Sequence, residues 1–110
     1  MNGMINDPGQ ILGNAGTTLH VTGPIKFESD ERGAVVHVTV TQGGSEVTGD
    51  SDFTPSNAQH WSATICGTAK FVRDDTARCE ATATVRKTDG SFEEYPEPGD
   101  PVWAREIDLW

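Results

Sequence analysis

The sequence predicts an all-β chain, an antiparallel two-sheet β-sandwich of about seven strands. Three observations lead there. Residues 35–42 and 79–87 alternate small or β-branched apolar residues with Thr, Glu or Arg, the period of a strand with one face buried. Turn signals built on Gly, Pro and Asp recur every eight to twelve residues or so. No stretch carries an apolar stripe at helical spacing.

Each element follows in chain order. Residues 1–16, rich in Gly and Asn, read as a flexible N-terminal arm, with the sandwich domain filling residues 17–110. An ordered arm needs something to hold it, so the arm is expected to dock on a partner or a neighbouring subunit. Residues 17–27 form the first strand, with Leu19 and Val21 on one face. Gly23-Pro24 is expected to kink it, because proline cannot donate to a ladder. Residues 35–42 are the strongest strand. Val36, Val38 and Val40 face in; Val35, His37, Thr39 and Thr41 face out. Gly43-Gly44-Ser45 turns the chain, and a weaker strand covers residues 46–53, interrupted at Gly49. After a polar loop over residues 54–59, Trp61, Ala63 and Ile65 share a face, and the phase slips at Cys66-Gly67. Residues 76–87 are the second strong strand, with Cys79, Ala81, Ala83 and Val85 inward. Asp89-Gly90 turns it into an acidic, proline-rich loop over residues 92–101. Residues 102–110 close the chain, with Trp103, Ile107 and Leu109 facing in and Trp110 facing out.

Composition narrows the function. A chain of 110 residues is one domain. Its net charge of −9, with only eight Lys and Arg, points away from nucleic acid and anionic membranes. No run approaches the ~18 apolar residues of a membrane span. Residues 1–16 lack the basic start and apolar run of a secretory leader, so the expectation is synthesis in the cytoplasm and a final place on a virion or an extracellular surface assembly.

Specific chemistry is thin. Cys66 and Cys79 are the only cysteines. Either they close one disulfide across the core or they are two buried thiols. His20 and His37 both point outward by phase. On neighbouring strands they could share a metal, but solvated surface imidazoles are the plainer reading. Residues 49–52, Gly-Asp-Ser-Asp, resemble half a calcium loop without the distal Glu. Asp89, Glu93, Glu94, Glu97 and Asp100 crowd one loop; paired carboxylates serve glycoside hydrolysis only in a deep cleft. No nucleophile motif and no phosphate-cradling loop occurs. No enzyme activity and no cofactor are therefore expected.

The order Val-x-Val-Thr-Val-Thr-Gln (residues 36–42), Trp61, Cys-x-Ala-x-Ala-x-Val (79–85) and Trp-x-Arg-x-Ile-x-Leu (103–109) resembles small immunoglobulin-like or fibronectin-III-like domains of bacterial surface and phage virion proteins. The resemblance runs from residue 17 onward. It implies an immunoglobulin-like sandwich acting as a structural or interaction module, such as a small decoration subunit of a phage virion. Antibody-type domains bridge their sheets from the second strand, where this chain has Val and His. The residues expected to touch a protein partner are Ile5, Ile11 and Leu12 of the arm, with Phe92, Tyr95 and Trp110 as exposed aromatics. The rival expectation is a ligand-binding module for carbohydrate or calcium, with its site in the loop at residues 92–100.

Overall fold

The alternating segments become strands because one face of each is apolar enough to leave water and the other is not. In the computed structural model, residues 1–13, 15–96 and 103–110 are described, and none of them is helical. Ten strands follow in order: β1 (Asn2–Gly3), β2 (Gln10–Leu12), β3 (Thr18–Lys26), β4 (Glu31–Gln42), β5 (Ser45–Asp50), β6 (Thr54–Pro55), β7 (His60–Cys66), β8 (Asp75–Lys87), β9 (Phe92–Tyr95) and β10 (Trp103–Leu109). The count exceeds the expected seven because β1, β2 and β6 are edge pieces of two or three residues.

The strands form two antiparallel sheets. In the first, β3 is central, with β7 on one side and β1 and β2 end to end on the other. In the second, β4 and β8 are central; β5 and β6 line the far edge of β4, and β9 and β10 the far edge of β8. Pairing β3 with β7 and β4 with β8, and crossing between sheets from β3 to β4 and from β7 to β8, is the immunoglobulin-like arrangement. A parallel bridge, Gly9 to Leu109, joins the sheets along one side. There Gly9 N–H donates to Asp108 O (2.9 Å), Trp110 N–H to Gly9 O (3.1 Å) and Ile11 N–H to Trp110 O (2.8 Å).

The inner faces are the ones alternation assigned. Leu19, Val21, Val36, Val38, Val40, Trp61, Ile65, Cys79, Ala83, Val85, Ile107 and Leu109 make one buried cluster. Each fully buried Val, Leu or Ile contributes roughly 1.5–3 kcal/mol.

The free arm is corrected. Ile5 and Ile11 are 3% and 2% exposed, in the chain's own core, and Leu12 is half-buried, so neither isoleucine is available to a partner. Residues 1–13 are part of the sandwich. The physical reason lies in two glycines. Alternate residues of this segment face in, but Gly3 and Gly9 fill inward positions and carry no hydropathy. They are glycine because neighbours occupy the space: a Cβ on Gly3 would meet the Trp103 ring at 3.0 Å, and one on Gly9 the Ile107 side chain at 2.9 Å. Arg105 donates to Ile5 O (3.0 Å) and Arg73 to Gly13 O (2.9 Å), tying the segment down further. Buried Glu31 accepts from Glu28 N–H (2.6 Å) and pairs with the Met1 amino group (2.9 Å).

Two further expectations change. Pro24 does not split β3. Its carbonyl accepts Met4 N–H (3.1 Å), so its missing donor lies on the side where only the short β1 edge runs. Residues 92–95 are strand β9, not loop; only Tyr95 of the four turns toward the core, so no alternation announces it.

Candidate functional site

Register places the exposed aromatics. On the outer face of the second sheet, Gly33 of β4, Arg86 of β8 and Phe92 of β9 stand in one row across three paired strands. Gly33 has no side chain, and the Phe53 ring occupies that space. Phe53 and Phe92, 50% and 68% exposed, therefore flank exposed Arg86. Strands lie about 4.8 Å apart, so the row spans roughly 10 Å. The next rows on this face are Val35–Thr84–Glu94 and then Asp50–His37–Thr82. Thr84 Oγ1 donates to Glu94 (3.2 Å), and His37 sits between Asp50 (2.7 Å) and Thr84 (2.8 Å). These cross-strand bonds hold the polar part of the face in one arrangement.

Trp110, 54% exposed, stands elsewhere. It borders a depression of about 360 Å³ that it shares with Asn6, Asp7, Pro8, Gln10, His20 and Thr22. Tyr95 is half-buried. Its ring lies 5.4 Å from that of Trp103, and its hydroxyl donates to Asn2 Oδ1 (3.2 Å). Its aromatic face is spent on the core, which withdraws it from the set of partner-facing aromatics.

The cysteines are both free, so the disulfide alternative fails. Of the two buried thiols that the other alternative named, only Cys79 is buried, Cys66 being exposed. Cys66 ends β7 on the outer face of the first sheet, whereas Cys79 is buried on the inner face of the second. The alternation that turns Trp61, Ala63 and Ile65 inward runs unbroken through Cys66 and turns it out, so the two sulfurs point different ways. Burial pushes the Cys79 thiol up to about 12, with the Glu80 carboxylate adding to the shift. A thiol so raised does not supply a nucleophile near neutrality. One thiol per chain is expected to react with Ellman's reagent in the native state and two in denaturant. The sign of the pH dependence follows: the unfolded thiol ionises near pH 9 and the folded one does not, so stability falls as pH rises from there toward 12. Urea melts from pH 8 to 11 should show this loss shrinking in Cys79→Ala.

The alternative of a metal shared by two histidines does not fit the topology. His20 is on β3 and His37 on β4, in different sheets, and His20 Nδ1 bonds Thr64 Oγ1 (3.0 Å). The acidic residues are separately engaged. Asp89 accepts from Ser91 N–H (2.9 Å) and Oγ (2.6 Å), which holds its carboxyl below the usual range. Glu93 pairs with Lys87 (3.1 Å), and Asp50 with His37. Glu97 and Asp100 lie outside the described residues. Among the described residues no three His, Cys, Asp or Glu side chains gather around a common point. Among the described residues no helix is long and apolar enough to cross a membrane.

No protein-family model and no curated protein matches the chain. A solved structure of murine CRIg is similar over 99% of this chain and 97% of its own, at 15% identity and a TM-score of 0.43. A likeness of that size carries no argument, and the immunoglobulin-like fold is read from the strand pairings themselves.

Sequence reasoning found Phe92 and Trp110 as exposed aromatics but missed Phe53, Arg86 and the polar lining of the depression. Alternation does signal Arg86 as outward. Nothing local signals that Phe53 lies over Gly33, because that contact depends on where β6 returns to β4.

Proposed function

We propose that this chain is a non-catalytic interaction module that docks on a protein partner through the Phe53–Arg86–Phe92 end of the second sheet. In its concrete form it is a small accessory or decoration subunit on the surface of a larger assembly, such as a phage virion. The observation that carries the reading is the row itself: two exposed aromatic rings flanking an arginine on a hydrogen-bonded sheet face. Aromatic and arginine side chains dominate binding energy at protein interfaces. Thr84, Glu94 and His37 beside them supply a polar rim. The acidic balance elsewhere keeps the unbound chain soluble and disfavours self-association through other faces.

The test places a photo-cross-linking phenylalanine analogue at position 92 in cells that naturally make the protein. The control position is exposed Glu46, which pairs with Thr41 at the opposite end of the second sheet. The expected result is one position-specific protein adduct from position 92, absent when the analogue replaces Glu46 and lost with Arg86→Glu. Adducts of equal yield from both positions, or none from position 92, contradict the proposal.

A further inference from the structure

We propose that the depression beside Trp110 is a saccharide-binding site, independent of the protein-docking row. Trp110 and Pro8 give it an apolar part, and the rest of its lining is polar with no Lys or Arg: Asn6, Asp7, Gln10, His20 and Thr22. Phosphates and other strong anions therefore find no counter-charge. The polar lining equally disfavours an apolar ligand, which would leave these groups unpaired. A neutral sugar ring satisfies both halves. Its C–H face lies on the indole, and its hydroxyls, each donor and acceptor, match amide, carboxylate and imidazole edges. The volume of about 360 Å³ lies in the range of small-ligand clefts and is open enough to take one unit of a longer chain.

The groups are held before any ligand arrives. Asn6 N–H donates to Thr22 O (2.8 Å) and its Nδ2 to Thr22 Oγ1 (3.0 Å), which directs the amide oxygen away from β3. Asp7 Oδ1 accepts Asp108 N–H (2.8 Å), leaving Oδ2 for a hydroxyl. His20 Nδ1 is taken by Thr64, leaving Nε2. Gln10 stands opposite His20 in the β2–β3 register. The Trp110 main chain is bonded on both sides, to Gly9 and Ile11, so the indole projects from a fixed base. The ordering cost left for binding to offset is mainly that of the Gln10 and Trp110 side chains.

The test has two stages. The folded protein, displayed as a streptavidin tetramer, is applied to a glycan array beside Trp110→Ala and the Phe53→Ser/Phe92→Ser double variant. The strongest oligosaccharide is then titrated into ¹⁵N-labelled monomer. The expected result is a defined array profile kept by the double variant and reduced at least about tenfold by Trp110→Ala. Amide shifts should be confined to Asn6, Asp7, Gln10, His20, Thr22 and the Trp110 indole. Profiles that coincide for the wild type and Trp110→Ala, a blank array, or shifts centred on residues 84–94 overturn the proposal. The cross-link from position 92 is read separately in Trp110→Ala. Its persistence there with a blank array leaves docking intact and removes only the saccharide site.

Discussion

Deleting residues 1–12 should leave a chain that does not hold a native fold at 37 °C. The segment contributes two strands and two core residues. Losing Ile5 and Ile11, both almost fully buried, costs about 3–6 kcal/mol in transfer energy alone. Three further losses add to it. Trp61 Nε1 loses its acceptor, the Met4 carbonyl, 2.9 Å away. Leu109 and Ile107 lose the cover of Gly9. Glu31 stays buried with one partner fewer. Small domains are stable by only about 5–15 kcal/mol in all. Far-UV circular dichroism and urea melts of the truncated chain measure this directly. A cooperative melt close to that of the full chain would mean the segment is an appendage after all.

The second large effect belongs to Trp61, the bulkiest fully buried side chain. Its ring centroid lies 6.3 Å from that of Trp103, and its Nε1–H reaches over Gly23 to Met4 O. Trp61→Ala empties the middle of the core and should cost about 3–5 kcal/mol. Trp61→Phe keeps most of the volume but leaves the Met4 carbonyl unpaired, and should cost about 1–3 kcal/mol. Gly23 explains why the pair fits. A Cβ there would stand 2.5 Å from Trp61 Nε1 and press on the Met4 carbonyl, so Gly23→Ala should resemble the tryptophan truncation in its effect. Equal urea midpoints for Trp61→Phe and Trp61→Ala would place the energy in the hydrogen bond instead of the packing.

The legible parts of this fold are those whose inner face is written in apolar side chains. The valines of β4 and the Cys-Ala-Ala-Val face of β8 announce strand, phase and burial together. β1 and β2 do not, because Gly3 and Gly9 sit where apolar residues would betray a strand, and Asn6-Asp7-Pro8 between them looks like loop. β9 is hidden for the opposite reason. Phe92, Glu93 and Glu94 all face water, and strand formation there follows from pairing with β8. Exposure of Trp110 is readable from the alternation of β10, yet the depression it borders is not. That depression joins residues 6–10, 20–22 and 110, which meet only because β2 lies between β3 and the end of β10. The Phe53–Arg86–Phe92 row has the same origin, since it depends on registers across three strand pairs. Period-two reading gives faces, and non-local pairing decides which faces share a site.

The parallel closure at Gly9 and Leu109 carries the whole account, because it makes the N-terminal segment structural and fixes the wall of the Trp110 depression. Native-state hydrogen exchange at the Ile11 and Trp110 amides measures it most directly. The expected result is protection of both amides comparable to Val38 and Ala81 at the centre of the second sheet, lost from both together as denaturant rises. Exchange of the Ile11 and Trp110 amides at the rate of an unfolded peptide, with Val38 still protected, would contradict it.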